Sequence, residues 1–263
     1  MRTLSQPTVG LDQVVGLIPA RWNSSRFEGK PLELINGVPM IQRVYNQCIQ
    51  TESLDRVVVL TDDVRINQYC ASNEIPCIVV ESNCITGTDR CAKAIELLDG
   101  DYFVNIQGDE PVIDPFTIDT LVRNFIFNDK GRYVADAFNR HIGNAYVEIL
   151  DDEKLHDRNV VKVVMDKEEK ALFYSRLPIP YPKGDFEQYY QQLGLYIFSR
   201  KALQVFSRLP RLSLEKSEEV EMLRFLENGY TIHMTKVKDV GLSVDVPEDI
   251  ITVEKYLNDI QHH

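Results

Sequence analysis

Four short apolar runs, at 14–18, 57–60, 77–80 and 102–106, each precede a stretch that reads as helix. A continuous run of Val, Leu and Ile without polar alternation is the pattern of a strand buried on both faces. After the first run, Met40, Ile41, Val44 and Tyr45 share one side of a helix expected over 39–50. Asp62-Asp63 is placed to cap a second helix over 64–71. Two more helices are expected over 88–98 and 115–127. Strand followed by helix, four times over, predicts an α/β fold with a parallel sheet covered on both faces. Ligands of such sheets gather at the carboxyl ends of the strands. The polar clusters at 21–30, 62–63 and 107–110 all follow strands.

Beyond residue 130 the rhythm changes. Strand-like pieces at 160–165, 171–174 and 193–198 flank a proline-rich stretch at 178–182. A helix is expected over 215–227, a strand over 230–236, and a last helix from Pro247, a residue suited to a first helical turn. This divides the chain into a core of 13–130 plus 230–260 and a smaller lobe of 131–229, within a single structural unit.

A net charge of −11 provides no basic face for nucleic acid, so no such partner is expected. The longest wholly uncharged apolar run, 14–20, is far short of a membrane span, and the N-terminus has no apolar segment of the signal type. A cytoplasmic protein with no membrane insertion is the expectation. Cys48, Cys70, Cys77, Cys84 and Cys91 contain no CxxC pair and read as reduced thiols, with no zinc site. The histidines show no triad or metal spacing, and His262 and His263 are given no role.

Within ten residues of the first strand lie Arg21, Arg26 and Lys30, with Ser24, Ser25 and Gly29 among them. Arginine offers forked donors to phosphate oxygens and lysine a mobile point charge. The loop is neither a Walker A sequence nor a GxGxxG turn, which removes P-loop and dinucleotide-dehydrogenase readings. Charge spacing alone is equally compatible with a solvated basic loop. Residues 86–90, taken alone, read as a helix-capping turn. Asp109, at a strand end, is either a turn residue or a ligand for a hard cation.

The run Ile18-Pro19-Ala20-Arg21, Ser25-Arg26 and Gly29-Lys30-Pro31-Leu32 is followed in order by Thr61-Asp62-Asp63 and Thr86-Gly87-Thr88-Asp89-Arg90. Gln107-Gly108-Asp109-Glu110-Pro111, Val161-Lys162-Val163-Val164, Tyr174-Ser175-Arg176, Leu193-Gly194-Leu195-Tyr196 and Val244-Asp245-Val246-Pro247 complete the series. Spanning nearly the whole chain, this series resembles the 3-deoxy-manno-octulosonate (KDO) cytidylyltransferases, within the glycosyltransferase-A-like nucleotidyltransferases. The resemblance implies a mostly parallel mixed sheet sandwiched by helices, with a smaller α+β lobe. It also implies transfer of CMP from CTP to an acidic sugar with release of pyrophosphate, a magnesium cofactor, and a homodimer formed through the smaller lobe.

By the same resemblance, Arg21, Lys30 and Asp109 are catalytic. Ala20, Arg21, Ser25, Arg26, Lys30, Thr86, Gly87 and Arg90 bind the nucleotide. Gln107, Ser175, Arg176, Gln192, Glu221 and Met222 face the sugar, and Asp109 and Asp245 hold the metal. Asp245 is expected at the end of the returning strand. Glu110 is read as a loop hydrogen-bond acceptor and Asp249 as a first-turn helix residue. Three positions depart from the family: Glu28 replaces Pro, Gln192 replaces His and Met222 replaces Gln. The last two leave open a sugar acid related to KDO but differing in a substituent. Another nucleotide-sugar pyrophosphorylase and a non-catalytic nucleotide-binding regulator are the alternatives. The presence of both Asp109 and Asp245 disfavours the regulator.

Overall fold

The computed structural model describes residues 13–23, 26–80, 83–126, 141–184, 188–238 and 241–261. The first half runs β1 (Val14–Ala20), a hairpin of β2 (Leu34–Ile35) and β3 (Val38–Pro39), and α1 (Met40–Cys48). It continues with β4 (Arg56–Thr61), α2 (Val64–Ser72), β5 (Cys77–Val79), α3 (Gly87–Ala94), β6 (Tyr102–Asn105) and α4 (Pro115–Ile126). The second half holds β7 (Ile142–Ile149), α5 (Asp152–His156), β8 (Lys162–Met165), β9 (Ala171–Ser175) and β10 (Tyr189–Ser199). It ends with α6 (Arg200–Phe206), α7 (Ser213–Glu218), α8 (Leu223–Glu227), β11 (His233–Lys236) and α9 (Asp249–Gln261).

One sheet carries the molecule, in the order β11-β7-β10-β6-β1-β4-β5, with β8 and β9 branching from β10. β6, β1, β4 and β5 are parallel, as the strand–helix alternation predicts. β10 then joins β6 antiparallel, so the sheet is mixed. β7 and β10 belong to this same sheet, so the pairing runs across the 130/131 boundary expected from the sequence. The sequence reading assigned no element to 142–149, where Asn144 and Glu148 interrupt the apolar residues of β7.

Both sheet faces are buried. Val15 and Leu17 of β1, Val58 and Leu60 of β4, and Phe103 of β6 point into one apolar cluster, with residues of α3, α6 and α8. Val14 and Ile18, Val57 and Val59, and Val104 point into the other, with residues of α1, α2 and α4. Strand side chains alternate between faces, so an unbroken apolar run is what two covered faces require. Asn36 and Gly37, at φ 43° and 73°, form the turn between β2 and β3, a left-handed pair that Asn-Gly favours.

Two expected elements differ. The helix expected over 215–227 is broken, because Glu219 adopts a left-handed conformation (φ 53°) that ends α7 before α8 begins. The strand expected over 230–236 begins only at His233.

Candidate active site

The carboxyl ends of the parallel strands open onto a cavity of about 180 Å³, whose wall includes Ala20, Arg21, Arg26, Lys30, Asp109 and Asp245. The loop after β1 crosses its floor. Gly29 sits at φ 74°, where a Cβ would approach the Trp22 ring to 3.0 Å, and its N–H donates to the Trp22 carbonyl (3.0 Å). Only glycine combines that backbone with that contact at low strain. A short 3-10 turn follows directly and turns Lys30 inward.

Lys30 Nζ donates to Asp109 Oδ2 and to the Val244 carbonyl, both at 2.7 Å. Arg26 Nη2 donates to Asp245 Oδ1 at 2.9 Å. The Val244 N–H donates to the Asp109 carbonyl (2.9 Å), so the two aspartate segments are stitched together. Asp245 does not end a strand. β11 stops at Lys236, and Asp245 lies in the following loop, where Asp249 Oδ2 accepts from the Asp245 and Val246 N–H groups at 2.7 and 3.0 Å. The first helical turn of α9 therefore orients this loop. Gly108 lets the Asp109 loop approach β1, since a Cβ there would lie 2.7 Å from the Pro19 carbonyl.

Arg21 lines the same cavity, and its guanidinium makes no hydrogen bond or ion pair among the described residues. Ser24 and Ser25 lie outside the described residues. Two carboxylates flanked by cations suit a hard divalent ion that completes its shell with phosphate oxygens and water. Among the described residues no group of three or more His, Cys, Asp or Glu is arranged to hold a metal alone.

Thr86, Gly87 and Arg90 form the opposite wall. The turn at 86–90 is a helix cap and a cavity wall at once. Thr86 Oγ1 accepts from the Asp89 N–H (3.1 Å), and Asp89 Oδ2 accepts from the Thr86 N–H (3.0 Å). This capping box points the positive end of α3 toward the cavity edge. Arg90 is anchored in the wall, donating to Asp62 Oδ2 (2.8 Å) and the Val80 carbonyl (3.3 Å). Asn105 Nδ2 donates to Thr88 Oγ1 (3.1 Å) and ties the turn to the end of β6.

A second cavity, of about 460 Å³, shares Arg21, Thr86, Gly87 and Gln107 with the first. Its far wall brings together Arg176, Gln192 and Glu221 from the sequence-derived set. It adds Tyr196 and Arg211, which sequence reasoning missed. The Tyr196 hydroxyl donates to Gln192 Oε1 (3.2 Å) and so orients the amide. The break after α7 lets Glu221 turn inward, where Oε2 accepts from the Thr88 N–H (3.2 Å). Burial pushes the Glu221 carboxyl up.

Behind this wall Arg224 donates to Glu215 Oε1 and Oε2 (2.7 and 2.8 Å) and to Asp89 Oδ1 (2.7 Å). Arg211 Nε donates to Glu215 Oε1 (3.0 Å). The i,i+4 spacing of Arg211 and Glu215 was the available signal for this contact.

Two residues expected at the sugar lie elsewhere. Met222 is fully buried in the apolar cluster with Phe225 and does not line the cavity, because the turn that points Glu221 into the cavity points its neighbour into the core. Ser175 is buried behind the wall, its hydroxyl donating to Glu218 Oε1 (2.8 Å). The Glu110 carboxyl, expected to accept a loop hydrogen bond, has none among the described residues. Burial, reinforced by the neighbouring Asp109, pushes it up to about 8.

Lys162 is fully buried and donates to the carbonyls of Asp157, Val160 and Arg176 at 2.7–2.8 Å. It clamps the start of β8 to the Arg176 segment of the wall. Glu28 lies outside the cavity, accepting from Trp22 Nε1 (3.0 Å), so its negative charge does not line the phosphate-binding surface.

Comparison with known proteins gives a consistent picture. A sequence model of the cytidylyltransferase family matches residues 15–237. The 3-deoxy-manno-octulosonate cytidylyltransferase of Syntrophotalea carbinolica is 38% identical over 254 residues, covering 93% of this chain and 98% of its own. The 8-amino-3,8-dideoxy-manno-octulosonate cytidylyltransferase of Shewanella pealeana is 41% identical over 251 residues, covering 92% and 97%. Among solved structures, a CMP:2-keto-3-deoxy-manno-octonic acid synthetase complexed with CTP superposes with a TM-score of 0.86 at 33% identity, covering 94% of this chain and 99% of its own. A cytidylyltransferase from Leptospira borgpetersenii, at 17% identity and a TM-score of 0.63, shares the fold. With this agreement along nearly its full length, the chain belongs to the family of 3-deoxy-manno-octulosonate cytidylyltransferases.

Proposed function

We propose that the two joined cavities transfer CMP from CTP to 3-deoxy-manno-octulosonate or its 8-amino analogue. The observation that carries this reading is the convergence of Arg26 and Lys30 with Asp109 and Asp245 in a cavity that shares Arg21, Thr86, Gly87 and Gln107 with the larger second one. The triphosphate belongs in the cationic cavity, and the sugar acid in the larger one, against Gln107, Gln192 and Glu221.

The anomeric hydroxyl of the sugar attacks the α-phosphorus in line. A new oxygen–phosphorus bond forms, the bond to the β-phosphate bridging oxygen breaks, and pyrophosphate leaves with the electron pair as the hydroxyl loses its proton. Arg21, Arg26 and Lys30 neutralise phosphate charge, which is most of what this chemistry asks of a protein. Asp109 and Asp245 would hold magnesium, which would supply Lewis-acid stabilisation of the phosphate oxygens.

The Met222 departure sits in the core, so only Gln192 bears on the choice of sugar. The test is pyrophosphate release with magnesium and CTP plus each sugar, against UTP, ATP and GTP controls. Release with CTP and one of the two sugars is the expected result; CTP binding without turnover of either would overturn the sugar assignment. A homodimer accords with exposed Leu172, Leu177 and Tyr181 around β9, and light scattering would test it. A cytoplasmic location accords with five cysteines that form no disulfide among the described residues. No helix among the described residues is long and apolar enough to cross a membrane.

A further inference from the structure

We propose that Arg65, Trp22 and Glu28 form a stacked clasp that holds the phosphate-binding loop in place, with Arg65 and Glu28 as positioning residues for the nucleotide. The inference rests on the reading of that loop as the triphosphate site. None of the three lines either cavity, so their effect runs through the backbone they fix.

The stack is built in layers. The Arg65 guanidinium lies 3.4 Å above the Trp22 ring. Asp63 holds it flat, accepting from Nε and Nη2 at 2.9 and 2.7 Å, while Asp63 also caps α2 through the Arg65 N–H (2.8 Å). Beneath, the Trp22 ring packs against Gly29 and the half of the core that includes α1 and α2. At its edge the indole N–H donates to Glu28. Trp22 follows Arg21, and Glu28 and Gly29 precede Lys30. The clasp therefore closes the loop at both ends, next to the two cations that bracket Arg26.

The neighbouring Asp62 holds Arg90 of the opposite wall. The dipeptide Asp62-Asp63 thus sets the spacing of both walls of the nucleotide cavity. Glu28, the family departure that would be unhelpful if it faced phosphate, serves as a hydrogen-bond acceptor on the outer side.

Trp22 is the only tryptophan in the chain, so its fluorescence reports on the clasp directly. The experiment titrates CTP, with magnesium, into wild type, Arg65→Ala, Arg65→Lys and Glu28→Ala, and measures KM for each substrate, kcat and the thermal midpoint. In Arg65→Ala we expect altered Trp22 emission and a CTP Kd and KM raised about fivefold, the scale of an exposed cation–π contact. Arg65→Lys recovers part of the loss, and Glu28→Ala raises the CTP Kd about twofold, the low end for one hydrogen bond. KM for the sugar and the thermal midpoint stay at wild-type values. A normal CTP Kd in Arg65→Ala, with altered emission, overturns the positioning role and leaves the stack as surface packing. Failure of the wild type to bind CTP would overturn the phosphate-loop reading itself, and the clasp with it.

Discussion

The two ends of the cleft solve the same problem, preparing a polar site inside a closed fold, in opposite ways. At the nucleotide end the charges face the cavity and are paired across it, Lys30 with Asp109 and Arg26 with Asp245. These pairs are partly exposed, with Arg26 at 58% side-chain exposure, and pairs of that kind contribute little stability. They keep both signs of charge in the cavity proposed to take the polyphosphate and its cation. At the sugar end the strongest pair is buried within the wall, with Arg224 at 4% and Glu215 at 1% side-chain exposure. The surface presented there mixes the amides of Gln107 and Gln192 and the Tyr196 hydroxyl with Arg176, Arg211 and a Glu221 carboxyl raised by burial. The pairs at one end face the open cavity, whereas the most buried pair at the other holds the wall together. Asp89 connects them, capping α3 beside the nucleotide and pairing with Arg224 behind the sugar.

The comparison can be broken by substitution. Asp109→Ala should lower pyrophosphate release by about a thousandfold or more if, as proposed, its carboxylate holds the cation that neutralises the phosphates. Its thermal midpoint should remain near that of the wild type. Retained turnover would show that the nucleotide end does not depend on its paired charges.

Arg224→Met should do the reverse. It leaves the Glu215 carboxylate buried with one partner fewer and should cost about 3 kcal/mol of stability in urea unfolding. An unchanged urea midpoint would deny the structural role assigned to the hidden pairs. Met222→Gln places an amide in an apolar cluster and should cost about 2 kcal/mol while leaving sugar preference untouched. Any improvement in KDO use would instead place residue 222 at the sugar. The smallest effect sharpens the boundary between the ends: Gln192→Ala should raise KM for the sugar about five- to tenfold, the worth of a neutral hydrogen bond, with KM for CTP unchanged.

The parallel half of the fold was legible because its strands announce themselves. A strand buried on both faces, such as β4, must be continuously apolar, and no loop shares that pattern. β7 was missed because Asn144 sits within it. Asn144 is fully buried and donates to the carbonyls of Leu193 and Leu195 (2.8 and 3.1 Å) across an irregularity in β10. A polar residue that serves tertiary pairing reads in sequence as an interruption. The residues of the loop after β1 and the two aspartates, singled out in sequence by chemistry and motif together, do converge on one cavity. Met222 and Ser175 do not line the second cavity, because motif membership does not say which way a side chain turns. That is fixed by the left-handed Glu219 between α7 and α8, a conformation that glutamate does not advertise. The clasp escaped notice because Arg65 lies over forty residues from Trp22, with only tertiary structure to join them.

The placement of β10 also bears on how this molecule is made. β6 is the central, fourth strand in the order across the sheet, yet its second edge is covered only by β10, more than eighty residues later in the chain. On the ribosome, the four parallel strands can assemble with their helices while that edge remains unpaired, which is the kind of edge that recruits other chains. The interval ends when residues 189–199 emerge and pair with β6 and β7 together. Synthesis speed through 106–199 therefore sets how long a nascent chain spends open to misassembly.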